Sequence, residues 1–185
     1  MQKTATPNQV ALTTGIATLS PQLSPMSIPA VAQLTEKQKV EKWFIEPLQR
    51  LKDDDGYVSL MLCFPLLECV MRFELEIPDD QDIPFSDNSP ALHWFAKFMQ
   101  IPEAEARNVW DAFRNGLLHR GMVKDSVPYG LTGGNGGRPA EFKDGTTWIY
   151  VWNLRDAVVA KLQKHQSKLW KHTSSPLGKI GTILK

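Results

Sequence analysis

Arg114, Asn115 and His119 are the residues of this chain whose types and spacing could do chemistry together. A guanidinium offers a planar fork of donors that fits a phosphate, and an imidazole takes up or gives a proton near neutral pH. Together the fork and the imidazole suit phosphate chemistry. On a helix advancing about 100° per residue from Arg114, Asn115 falls at about 100° and His119 at about 140°. The apolar residues of the same segment, Ala106, Val109, Trp110, Phe113 and Leu117, centre near about 280°, so the polar trio shares the side away from the core. Leu118 falls between them, an apolar residue on an open face, and this predicts a partner surface there.

The run Phe113-Arg114-Asn115-Gly116-Leu117-Leu118-His119-Arg120-Gly121 resembles the HEPN motif, in which an Arg is followed by a small polar residue and then by a His after four to six intervening residues. The resemblance covers about Thr35 to His172 as architecture, and only the motif is specific. It implies a mainly α fold, an antiparallel helical bundle with the motif near the end of a long helix. It also implies a homodimer whose two motifs face each other, with Leu118 at the interface. Many members of that family cut RNA without a metal, so the resemblance implies an endoribonuclease acting through Arg114, Asn115 and His119, with no cofactor. The alternative it leaves is a catalytically silent module that binds RNA, a nucleotide or a protein. The family also implies a biological setting, a toxin or phage-defence effector checked by a partner such as a nucleotidyltransferase-type antitoxin.

Each of these residues also has a plainer reading. Arg114 can reach Asp111, and His119 can cap the helix end near Gly121. Glu68 either pairs with Arg72 one turn on or lies beneath the cleft and orients Arg114. Arg120, Arg138, Lys161 and Lys164 are candidate RNA contacts, although the lysines of the last helix equally describe a solvated face. The run Gly133-Gly134-Asn135-Gly136-Gly137 could cradle a phosphate, yet no Gly-Lys-Ser/Thr follows it, and a hairpin tip fits better. His93, His165 and His172 form no pattern, and Trp148, Tyr150 and Trp152 read as strand and core residues.

The elements that must position the trio follow from periodicity. Thr35 caps a helix to about Lys52, with Val40, Trp43, Phe44, Leu48 and Leu51 on one stripe. After Asp53-Asp54-Asp55-Gly56 comes Tyr57–Phe73, apolar nearly all round, the pattern of a central helix covered on every side. It holds Pro65, Glu68 and Arg72 and lacks basic flanks, which argues against a membrane span. An acidic loop from Ile77 to Pro90 precedes a short helix, Ala91 to Gln100, with Leu92, Phe95 and Met99 inward. The motif helix starts at Pro102 and runs to about Arg120. A hairpin is expected from Met122–Leu131 and Thr146–Trp152 joined through the glycine run, and Asn153 is placed as the cap of a last helix to about His172.

With 185 residues, 42% hydrophobic, the chain can bury one core, expected over 34–173 between tails 1–33 and 174–185. Its net charge is +1, unevenly spread: from Arg155 onward one Arg and six Lys face one Asp, whereas Glu74, Glu76, Asp79, Asp80, Asp82 and Asp87 have no basic residue among them. Cys63 and Cys69 lie six apart on a helix and point away from each other, so they read as small hydrophobes in a reducing cytoplasm rather than a disulfide or metal pair.

Overall fold

A computed structural model describes residues 34–78, 80–116, 129–134 and 137–169. The expected tails lie outside these, as do Leu118, His119, Arg120 and the strand start at Met122. The described chain is mostly helical with a small three-stranded sheet.

The first helical stretch comprises α1 (Glu36–Val40), a wide π turn π1 (Glu41–Ile45) and α2 (Glu46–Arg50). Thr35 caps it as expected, its hydroxyl accepting from the Gln38 amide while the Gln38 side chain accepts from the Thr35 amide. The π turn sits just before Pro47, whose missing N–H cannot serve the carbonyl of Trp43 four residues back. Val40, Ile45 and Leu48 are buried, and Trp43, Phe44 and Leu51 pack partly against the core.

Helix α3 (Gly56–Glu74) is the centre of the fold, with eleven of its residues buried. It is long and apolar enough to cross a membrane, yet much of it is covered by the rest of the protein. Complete coverage does not hold, however. Tyr57, Val58, Met61 and Leu62 are 38–46% exposed, because the first turns of the helix are packed on one side only, where Gly56 meets Val151. Cys63 and Cys69 are free thiols in the core, and burial pushes the Cys63 thiol up to about 12, beyond useful reactivity.

Ser89 caps α4 (Pro90–Met99) through its hydroxyl, Gln100 closes it in a left-handed conformation, and Leu92, Phe95 and Met99 point inward as the spacing predicts. Pro102 caps α5 (Glu103–Val109), which continues as a second wide turn, π2 (Trp110–Asn115). Phe113 of π2 stacks on Phe64 of α3 with centroids 5.4 Å apart, and Phe95 of α4 packs 6.2 Å from Phe64.

The sheet departs from the expected hairpin. Strand β1 (Tyr129–Thr132) pairs parallel to β3 (Thr146–Tyr150), and the antiparallel partner of β3 is β2 (Ala140–Lys143). The tight turn is Asp144-Gly145, both at positive φ (52° and 74°), the two-residue geometry that an Asp-Gly pair favours. At the start of the glycine run, the Gly133 carbonyl accepts from the Trp152 amide at 3.2 Å. Gly130 is required by close approach: a Cβ there would lie 2.3 Å from the Trp148 ring.

The last helix, α6 (Val151–Leu169), starts directly from β3, so Asn153 is not its cap; its amide donates to the Arg138 carbonyl at 3.0 Å. Leu154, Val158, Leu162 and Leu169 are fully buried, as their spacing requires. The two longest helices, α3 and α6, run in the same direction, Gly56 against Val151 at one end and Glu74 against Lys161 and His165 at the other. An antiparallel arrangement does not describe this pair.

Candidate functional site

Arg114 sits in π2, not in a regular α-helix. A wide turn bonded i to i+5 advances each residue by less than the α-helical angle, which swings Arg114 from the open flank toward α3. Its guanidinium grips Glu68: Nε donates to Oε2 at 2.8 Å and Nη2 to Oε1 at 3.3 Å. Glu68, 8% exposed, also accepts from Arg72 Nε at 3.2 Å. The two readings of Glu68 are therefore both realised, one carboxylate serving Arg72 and Arg114 at once. A carboxylate this buried is tolerable because two cations and several directed hydrogen bonds meet it.

The remaining donors are distributed in an orderly way. Arg72 Nη1 donates to the carbonyls of Pro78 and Gln81, both at 2.9 Å, which pins the start of the acidic loop. Arg114 Nη1 donates to Asn115 Oδ1 at 3.0 Å, and Asn115 Nδ2 donates to Asp111 Oδ1 at 2.8 Å. The far end of the loop is held by Arg107, which pairs with Asp87. Phe85 stacks on Trp110 at 4.4 Å with an interplanar angle of 9°. The acidic loop is thus docked near both ends and through Phe85, while Asp80, Asp82 and Asp87 remain exposed.

Between this loop and α5–π2 lies a cavity of about 550 Å³ lined by Arg72, Asp82, Ile83, Phe85, Arg107, Asn108, Trp110, Asp111, Arg114 and Asn115. That is a size suited to a nucleotide or other small ligand. The lining holds three arginines and two aspartates above the buried Glu68, so it carries both donors and acceptors. Among the described residues no three of His, Cys, Asp and Glu group to hold a metal ion.

Of the residues singled out by sequence, Glu68, Arg72, Arg114 and Asn115 come together here. Arg138, Lys161 and Lys164 do not. Arg138 pairs with Glu141 at 3.2 Å, and Lys161 and Lys164 border a different hollow, formed with Phe98, Pro139 and Ala157. The lining residues Asp82, Ile83 and Phe85 carry no signal in the sequence, because they reach the cavity from a loop. Arg107 and Asp111, one or two turns before Arg114, share its helix face and could have been found by spacing.

A second polar cluster lies at the far end of α3. Glu74 accepts from Trp94 Nε1 at 2.7 Å and from Lys161 Nζ at 2.8 and 2.9 Å, and His165 Nε2 lies 2.7 Å from its Oε1. Burial alone would push this carboxyl up, but the hydrogen bonds from Lys161, Trp94 and His165 outweigh it and hold it at about 2. Lys161 also lies over the Trp94 ring, and His165 packs 5.2 Å from Phe73.

Neither a family model nor a characterised protein nor a solved structure matches this chain.

Proposed function

We propose that the chain is a metal-independent endoribonuclease of HEPN-like organisation, in which two copies bring Arg114, Asn115 and His119 to one RNA phosphate. The observation that carries this reading is the held guanidinium of Arg114: Glu68 grips one edge, and the group borders a nucleotide-sized cavity. A fork fixed beforehand loses little freedom when phosphate arrives, which is how charge over a transition state becomes effective.

The reaction balances as a transesterification. The 2′-hydroxyl oxygen attacks the adjacent phosphorus, its proton passing to His119 of one copy. The bond from phosphorus to the 5′ oxygen breaks, and that oxygen takes a proton from His119 of the other copy. A 2′,3′-cyclic phosphate and a 5′-hydroxyl result, with Arg114 bearing the charge on the phosphorane. A dimer joined near Leu118, in the cytoplasm and under the control of a regulatory partner, completes the reading.

One observation favours the binding-only alternative. The Asn115 amide accepts from Arg114 and donates to Asp111, so it serves inside the protein to position Arg114 and keeps one N–H for a ligand. The test is incubation of the purified chain with end-labelled RNA in EDTA, wild type beside His119→Ala. Cleavage leaving cyclic phosphate ends, lost on substitution, is expected. Strict dependence on magnesium, or equal cleavage by both proteins, overturns the nuclease; RNA binding without cleavage by wild type establishes the silent module.

A further inference from the structure

The cavity beside Arg114 contains more than phosphate chemistry uses. Arg72 lines it and is only 7% exposed, yet its donors are unevenly spent. Nε serves Glu68 and Nη1 serves the Pro78 and Gln81 carbonyls, while Nη2 takes no partner among the described residues. That nitrogen faces the cavity with its donors open to an acceptor on a ligand. On the loop wall stands the Asp82 carboxylate, and on α5 the Asn108 amide, neither with a described partner. Ile83, Phe85 and Trp110 supply apolar surface between them. The three arginines ask for acceptors and the two aspartates for donors, and an apolar ligand would strand every polar group. The lining asks for a flat aromatic frame with donors on one edge and acceptors on another.

We propose that this cavity binds a guanine base of the RNA strand, next to the phosphate at Arg114; the placement in a strand rests on the nuclease reading, whereas the base pocket itself does not. Guanine alone among the four bases presents two adjacent donors, N1–H and the 2-amino group, which match the two oxygens of a carboxylate. Its O6 and N7 match a guanidinium edge. Adenine and cytosine turn an acceptor toward the carboxylate beside a single amino group, and uracil has no amino group to give. Asp82 reads the donor edge, Arg72 Nη2 the acceptor edge, and the Phe85–Trp110 pair forms the apolar wall against which the ring lies.

Calorimetric titration of the full chain with GMP, AMP, CMP, UMP and IMP tests this without requiring catalysis. GMP should bind at least tenfold more tightly than AMP, CMP or UMP. IMP, which keeps O6, N7 and N1–H but lacks the 2-amino group, should lose about tenfold, and Asp82→Asn should lower the GMP preference by a similar factor. Asp82 is an exposed loop residue, so this variant keeps the fold, and circular dichroism checks that it does. In parallel, the cut positions on a mixed-sequence RNA should fall beside guanines and lose that bias in Asp82→Asn. Equal binding of all five nucleotides, or no binding of any, overturns the guanine pocket even where RNA is cut. GMP preference that depends on Asp82, in a wild type that cuts nothing, supports the pocket and removes the nuclease.

Discussion

Two glutamates on α3, the buried Glu68 and the partly buried Glu74, lie within two turns of each other and are answered in opposite ways. Glu74 is closed: Lys161 and His165 of α6 and Trp94 of α4 all aim at one carboxylate and join three helices. Glu68 is open. It binds two guanidinia that each have other work, Arg72 holding the acidic loop and Arg114 bordering the cavity. A carboxylate whose donors are all consumed is a fastening, whereas one that orients a cation with donors to spare prepares a place for a ligand.

The largest expected effect lies on the open side. Arg114→Ala removes both phosphate affinity and transition-state charge, so kcat/KM for RNA should fall on the order of 10²-fold or more. Lys at 114 should restore only part, since an ammonium cannot grip Glu68 and phosphate as a fork does. Full rescue by Lys in a cleavage assay would mean that only the charge matters and that the bidentate hold is incidental.

On the closed side the expected effect is on stability. Glu74→Ala leaves Lys161, His165 and the Trp94 N–H without their acceptor and should cost about 2 kcal/mol, less than a fully dry pair because solvent reaches Lys161. Denaturant unfolding measures it, and a loss below about 0.5 kcal/mol, ordinary for a surface site, would remove the fastening.

The same cluster gives a pH dependence of known sign. The Glu74 carboxyl is held at about 2 in the folded protein against an ordinary 4.5, so its contribution is complete above about 4.5 and drains away as pH falls toward 2. Screening limits it to about 1–2 kcal/mol. In Glu74→Gln that part of the acid loss should vanish from melts taken between these limits; an unchanged acid slope would assign it to other groups.

The smallest effect separates two lysines three residues apart. Lys164 is exposed, while Lys161 spends its charge on Glu74. If RNA lies along α6 at all, Lys164→Ala lowers the slope of log affinity against log salt by about one, and Lys161→Ala changes it less. Equal changes would put Lys161 on the RNA and loosen its tie to Glu74.

What was legible in the sequence was local. Thr35 as a cap, the inward residues of α4 and α6 and the pairing of Glu68 with Arg72 all follow from spacing along one helix. What escaped came from distance or from departures in period. The π turn at Trp110–Asn115 shifts Arg114 inward from where an α-helical wheel puts it. Glu74 meets Lys161 and His165 only because α3 and α6 run side by side, and the acidic loop docks only because Arg72 and Arg107 hold its ends. The sheet departs from the pattern for a different reason: the glycine run draws the eye as the turn, whereas Asp144-Gly145 is the stronger turn signal and makes it.

The most direct test exchanges one atom at each carboxylate. Glu68→Gln and Glu74→Gln keep shape and remove charge, and both are followed by RNA cleavage per folded molecule and by Tm in the same buffer. Glu68→Gln should lower Tm, since Arg72 and Arg114 lose their counter-charge, and should also lower cleavage per folded molecule about tenfold or more, because Arg114 loses the charge that holds it. Glu74→Gln should lower Tm by several degrees and leave cleavage within a factor of two. Equal behaviour of the two variants, or cleavage that follows Tm in both, would show that the two clusters are the same kind of fastening and that the cavity beside Arg114 is not the site.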